Sequence, residues 1–221
     1  MAKLTETIAR RAIERATADR QGAYEGEIQR IVDATYALIG RTGDVDPSLR
    51  DILRETGLST QAFYRYFMSK DELLLLLLDD GRRRLLGYLE HRVGRLAAPE
   101  DRLREWVEGV LAQCASPEAA ARTRPFVANQ VRLADRFPEE QQASVDLLVE
   151  QVATVLDGVR PSARRSRQRD AEAAYRLVFA TLESHLARRT RPSPAEIEHL
   201  VGFITAGATN NARPMTPKET R

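Results

Sequence analysis

Apolar residues recur every third or fourth position along most of this chain, and no segment alternates with a period of two. That spacing lines one face of an α-helix and leaves no half-buried strand. Ile28, Ile31, Val32, Thr35, Leu38 and Ile39 form a wide apolar face, so the first long helix is expected over about 24–41 and should stop at Gly43. After the Asp46-Pro47 turn, Ser48 is placed to cap a helix carrying Leu49, Ile52 and Leu53. That helix ends at Thr56-Gly57, glycine being the residue that enters the left-handed conformation without steric cost. Ser59 caps the next helix, expected over Thr60 to Phe67 with Ala62, Phe63, Tyr66 and Phe67 at helical spacing. Leu73 to Leu78 is a run of leucines pointing all round a helix, which predicts burial on every side.

Beyond Leu96 the punctuation is regular. Ala97-Ala98-Pro99, Ser116-Pro117, Phe137-Pro138, a loop from Val159 to Ser166, and Arg191-Pro192-Ser193-Pro194 separate amphipathic segments at about 100–115, 118–136, 138–158, 168–190 and 195–209. The fold class is all-α, with no sheet.

Two short helices about a tight turn, followed by a longer one, form a helix-turn-helix pattern. Such a pattern sets its second helix in the DNA major groove with N-terminal residues at the base edges. The residue types suit that task. Gln61 carries an amide with the donor and acceptor that adenine pairs with, Tyr64 and Tyr66 have hydroxyls for phosphate oxygens, and Lys70 adds a point charge. Thr60 and Arg65 add polar groups at the N-terminal end and outer face of the same helix. Phe63 and Phe67 read as core.

The run from Glu27 to about Leu78, with Gly43, Ile52, Gly57, Leu58-Ser59, Phe63-Tyr64, Tyr66-Phe67, Ser69-Lys70 and Leu73 in order, resembles the DNA-binding domain of the TetR family of transcriptional regulators. The resemblance implies that Ser48, Tyr64, Tyr66 and Lys70 meet phosphates, that Thr60 and Gln61 stand where bases are read, and that Arg50 sits where family members often touch DNA. Two positions depart from the family pattern. Gln61 stands where small residues or proline are common, and Ala62 replaces a frequent threonine. The resemblance also implies that the last two long helices pair with their symmetry mates, and that the helix carrying the leucine run transmits ligand state. Ala174, Leu177, Val178, Thr181, Leu182 and Leu186 on one helix, and Ile197, Leu200, Val201, Ile204 and Ala208 on the next, are the faces expected to pair.

Chemistry for a ligand is sought in the helical half. Trp106, Val110 and Cys114 repeat at i, i+4, i+8, and Phe126, Asn129, Gln130, Leu133 and Phe137 share one broad helical side. Apolar walls with a few polar groups are what small-molecule pockets use, and the same stripe also serves as plain core. Asn129 favours the pocket, since a buried amide needs partners.

Composition narrows the classes. With 43% hydrophobic and 30% charged residues the chain is an ordinary globular one. A formal charge of +2 places any nucleic-acid surface in local arginines and lysines rather than in the whole. The single cysteine, Cys114, and the scattered His91, His185 and His199 offer neither disulfide nor metal cluster, and no nucleophile elbow or phosphate loop occurs. The expectation is no enzyme, no cofactor, no metal and no membrane contact, in a cytoplasmic protein.

Residues 1–23 gather Lys3, Arg10, Arg11, Arg15 and Arg20, and read either as a solvated arm or as a basic extension reaching phosphates. Arg160, Arg164, Arg165, Arg167 and Arg169 fall in or beside the Val159–Ser166 loop and read as a solvated linker. The expected organisation is therefore a basic arm over 1–23, a helix-turn-helix domain over 24–72, a helical regulatory and dimerisation domain over 73–209, and a tail over 210–221. The expected function is a homodimeric, ligand-responsive regulator, a repressor released from a pseudo-palindromic operator by a small apolar or amphipathic molecule. A constitutive or corepressor-dependent DNA binder whose helical half only dimerises is the alternative.

Overall fold

The computed structural model describes residue 22 and residues 24–159 and 164–210. The basic arm of the sequence reading, the loop arginine Arg160 and the tail beyond Asn210 lie outside the described residues. Among the described residues there is no strand. The chain divides into two units, Met1–Leu73 and Leu74–Arg221.

In the first unit, α1 (residues 24–42) buries Ile31, Val32, Thr35, Leu38 and Ile39, all near 0–3% exposed. Gly43 takes φ 66° and its amide closes onto the Ile39 carbonyl at 2.9 Å, a left-handed stop that a side chain would strain. Helix α2 (Leu49–Thr56) begins at Ser48, whose Oγ accepts the Asp51 amide, and ends at Gly57 with φ 70°. Each serine cap of this type is worth about 0.5–2 kcal/mol. The Arg41 guanidinium binds both Glu55 oxygens at 2.9 and 2.6 Å and so joins the ends of α1 and α2.

Helix α3 is shorter than its pattern predicts. It spans Thr60–Phe63 behind a Ser59 cap, and residues 64–66 form a turn. There the bonding tightens to i→i+3, from the Arg65 amide to Ala62 and from the Tyr66 amide to Phe63. The tightening still turns Phe63 and Phe67 inward, 0% and 4% exposed, with ring centroids 5.3 Å apart. Helix α4 (Lys70–Val93) then runs from the first unit into the second. Of its leucine run, Leu73, Leu74, Leu77 and Leu78 are buried while Leu75 and Leu76 are half-buried, so burial on every side is corrected to a broad face.

The second unit comprises the rest of α4 with α5 (Pro99–Leu111), a 3₁₀ turn (Ala112–Cys114), α6 (Pro117–Arg136), α7 (Pro138–Val159), α8 (Arg164–Arg188) and α9 (Pro194–Asn210). Proline opens α5, α6, α7 and α9, where its missing N–H costs nothing. Helix α5 forms the middle: Leu103, Trp106, Val107 and Val110 are fully buried among residues of α7, α8 and α9. The Trp106 indole donates to Gln151 Oε1 at 3.1 Å, and Gln151 Nε2 donates to the Leu86 carbonyl at 3.1 Å, so these two side chains are paired. Gly109 lets α5 approach α4 closely, for a Cβ there would stand 2.5 Å from Leu89 Cδ2.

Two expectations are corrected here. Helix α8 starts at Arg164, so Arg164, Arg165 and Arg167 are helical residues rather than loop residues. Arg167 spans to Asp157 at 2.5 Å and to Glu150 at 2.7 Å, interactions that reward extending the helix N-terminally. Second, the faces of α8 and α9 expected to meet a partner copy are largely filled by the chain's own core. Ala174, Val178, Leu182 and Leu186 are 0–3% exposed, and Leu200, Val201, Ile204 and Ala208 are 6–8%. The outward side of α9 instead carries Gly202, Phe203, Ala206 and Gly207, with Phe203 63% exposed.

Candidate functional site

The first unit carries exposed polar side chains on α2, on α3 and on the turn after it. Ser59 caps α3, so Thr60 and Gln61 stand in its first turn, exposed and without a side-chain hydrogen bond among the described residues. With Phe63 turned inward, Tyr64 and Arg65 must face out, and Tyr64 is 53% exposed. Arg50, in the first turn of α2, is exposed as well.

The other three expected contacts are already engaged. The Ser48 hydroxyl donates to Asp51 Oδ2 at 2.6 Å while accepting the Asp51 amide at 3.2 Å, so it serves the cap. This bond, with Arg54 close by, holds the Asp51 carboxyl below its usual range. The Tyr66 hydroxyl donates to the Glu27 carboxylate, and its ring meets Tyr24 edge to face at 6.0 Å. Lys70 Nζ lies 2.7 Å from Asp46 Oδ1. Both partners are carboxylates, which phosphate oxygens resemble as acceptors. A phosphate group arriving at Tyr66 or Lys70 therefore exchanges one anionic acceptor for another instead of meeting a bare donor.

A cavity lies wholly in the second unit. Its inner chamber, about 100 Å³, is bounded by Leu78, Gly81 and Leu85 of α4, Thr123, Phe126, Val127 and Gln130 of α6, and Tyr175, Phe179, Leu182 and Glu183 of α8, with Arg82 and Gln113. None of these residues is exposed. An outer chamber of about 540 Å³ shares Arg82, Gln130, Tyr175, Phe179 and Glu183 and adds Gln141 and residues of α6, α7 and α8. Six residues of its wall, among them Val131, Pro138 and Arg176, are exposed, so this chamber faces solvent. The five shared side chains form the neck between the two.

The neck is polar on an aromatic wall. Tyr175 stacks on Phe179 with centroids 4.3 Å apart. Arg82 Nη1 donates to Gln141 Oε1 at 2.7 Å and has no carboxylate within salt-bridge distance among the described residues. Burial pushes its guanidinium below the usual value, and burial likewise raises the Tyr175 phenol, which stays a donor at neutral pH. Gln130 Nε2 donates to Glu183 Oε1 at 2.6 Å.

Two of the eight side chains expected at a ligand site line this cavity. Phe126 and Gln130 line it; Trp106, Val110 and Cys114 are core residues of α5 and the turn after it, and Leu133 is fully buried. Asn129 needs no ligand: its amide donates to the Pro125 carbonyl at 2.7 Å and accepts from Arg132 at 2.6 Å. Phe137 closes the C-terminus of α6 beneath the Arg136 guanidinium. The residues missed were Arg82, Tyr175 and Phe179. A Tyr-Phe pair at i, i+4 in α8 and an arginine one turn after a leucine run were the available signals. Among the described residues no group of three His, Cys, Asp or Glu side chains could hold a metal ion, and no helix is long and apolar enough to cross a membrane.

Residues 31–77 match the pattern of the bacterial regulatory proteins of the tetR family. The HTH-type transcriptional regulator BetI of Brucella anthropi is 32% identical over 73 residues, a match covering 33% of this chain and 38% of BetI. Thus only a little over a third of that relative's length is spanned. RolR, solved in complex with resorcinol, superposes with a TM-score of 0.63 at 12% identity, over 89% of this chain and 98% of RolR. FadR of Bacillus subtilis, solved with stearoyl-CoA, gives 0.57 at 14% identity, over 81% and 98%. At these identities the two structures establish the fold alone. The helix-turn-helix geometry and the pattern match over it show that residues 31–77 form a DNA-binding domain of the tetR family of bacterial regulatory proteins, and the chain as a whole shares the all-helical fold of RolR and FadR.

Proposed function

We propose that the protein is a homodimeric repressor that binds a pseudo-palindromic operator through Arg50, Thr60, Gln61, Tyr64, Arg65, Tyr66 and Lys70 and is released by a small molecule held in the cavity of the second unit. The observation that carries this reading is the continuity of α4. The helix that begins at Lys70 also supplies Leu78, Gly81, Arg82 and Leu85 to the cavity wall. A ligand that prefers one position of this helix shifts the population toward it, and it does so only by its difference in affinity between the two states. Binding of resorcinol by RolR and of stearoyl-CoA by FadR supports ligand response as the general mode.

Dimerisation is assigned to α8 and α9 through the outward side of α9. Gly202, Phe203, Ala206 and Gly207 present small residues around one exposed aromatic ring, which favours close helix packing. A two-fold dimer presents two recognition helices about 34–36 Å apart, one turn of DNA.

The test is a duplex-release assay. A duplex enriched by the protein from a random library is bound, and a panel of small carboxylates, phenols, fatty acids and acyl thioesters is titrated in. Release by one chemical class, matched by thermal stabilisation of the free protein, is the expected result. A ligand at a hundred times its dissociation constant adds about 2.7 kcal/mol. Ligands that stabilise the protein and leave the duplex bound would contradict the coupling.

A further inference from the structure

The neck of the cavity holds donors in excess of the acceptors that the protein gives them. Arg82 has one protein acceptor, Gln141 Oε1, and that bond fixes which end of the Gln141 amide meets the guanidinium. Gln141 is 5% exposed, and its Nε2 is buried without a hydrogen-bond partner. A buried donor left unpaired costs free energy, and the half-buried Arg82 feels Asp79 only at a distance, without a direct ion pair among the described residues. The Tyr175 hydroxyl, a third donor, borders the same chamber and has no hydrogen-bond partner among the described residues. A cation and two neutral donors around one chamber are complementary to a carboxylate, which accepts through both oxygens and pairs with guanidinium in a planar fork.

Size and wall chemistry specify what the carboxylate is attached to. The inner chamber is lined by Phe126, Val127, Phe179, Leu78, Leu85 and Leu182. Its volume, about 100 Å³, is close to but below the roughly 150 Å³ that takes a benzene ring in an apolar protein cavity. A single ring is the largest group the inner chamber takes, with side-chain adjustment; a long acyl chain would have to run on through the neck into the outer chamber. The stacked Tyr175–Phe179 pair offers an aromatic face to it. One carboxylate, Glu183, also stands at the neck, with Oε1 taken by Gln130. It repels a second anionic group and accepts from a hydroxyl.

We infer that the effector is a monocyclic aromatic monocarboxylate, its carboxylate held at Arg82 and Gln141, its ring in the inner chamber, and a ring hydroxyl, where present, donated to Glu183. This names the ligand class for the cavity of the proposed function and rests on the cavity being the effector site.

The experiment is calorimetric titration of the full chain, without DNA, against a charge series of one shape: 3-hydroxybenzoate, benzoate, benzamide and benzylamine, with decanoate as the chain-like control. Saturable binding is expected for the two carboxylates, tighter for the hydroxylated one. The neutral amide should bind roughly ten- to a hundredfold more weakly, the range for a charge-assisted hydrogen bond, and the amine not at all. Arg82→Gln should remove the preference for carboxylate over amide, and Val127→Trp, which fills the inner chamber, should abolish binding of the whole series. Equal affinity for benzoate and benzamide, preference for decanoate, or no binding of any aromatic acid overturns the inference. The charge series needs no variant, so misfolding of Arg82→Gln leaves the test intact. Because DNA is absent, failure here is separable from failure of the regulatory reading: release of a duplex by another class would retain the regulator and refute this ligand.

Discussion

At the scale of single residues, the proposed DNA surface is balanced by internal anions. Lys70 is held by Asp46 and Tyr66 by Glu27, so DNA must displace a carboxylate at each. Lys70→Ala should weaken every duplex alike and lower the slope of log affinity against log salt by about one. Asp46→Asn should act in the opposite direction, tightening all duplexes by up to about fivefold, the scale of a partly exposed ion pair. Filter binding across a salt series checks both, and a sequence-dependent loss in Lys70→Ala would contradict the phosphate role. Gln61, exposed in the first turn of α3 and without an internal hydrogen bond, should behave differently. Gln61→Ala is expected to relax base preference by roughly 1–3 kcal/mol at one position per half-site. Identical enriched sequences for wild type and Gln61→Ala would reject base reading.

Among elements, the caps and stops were legible from residue type because each answers a local requirement. Ser48, Ser59, Gly43 and Gly57 all stand where the chain starts or ends a helix, and both glycines have positive φ. The shortening of α3 was not legible. Tyr64 to Phe67 keep helical spacing, yet the turn bonds i→i+3, a choice made by packing Phe63 and Phe67 into the first unit. Nor could periodicity separate core from cavity: Trp106 and Phe126 lie on similar apolar stripes, yet the packing of the helices fills the space beside one and leaves a chamber beside the other. Two glycine substitutions test the local account. Gly57→Ala must force a side chain into the left-handed region and should destabilise by about 1 kcal/mol or more, whereas Gly87→Ala, inside α4 with open space around it, should stabilise by roughly 0.5–1 kcal/mol. Urea denaturation of the two variants compares them, and equal signs would contradict it.

For the whole molecule, helicity and the place of the helix-turn-helix were readable, while the face used for pairing was not. Medium aliphatic residues on α8 and α9 satisfy an internal core and a subunit interface equally well, and the folded chain uses them internally. The exposed Phe203 therefore carries the dimer in this account. Phe203→Asp should shift the protein toward monomer in sedimentation velocity and weaken binding to a two-site duplex far more than to a single half-site; an unchanged sedimentation coefficient would exclude α9 as the interface.

The most direct measurement is selection of duplexes from a random library by the purified protein, followed by sequencing of the bound fraction. Enrichment of an inverted repeat whose half-sites are centred about one helical turn, 34–36 Å, apart is the expected result. Recovery of duplexes with no common sequence, bound with affinity set by salt alone, would contradict it and leave a DNA-binding fold without a specific operator.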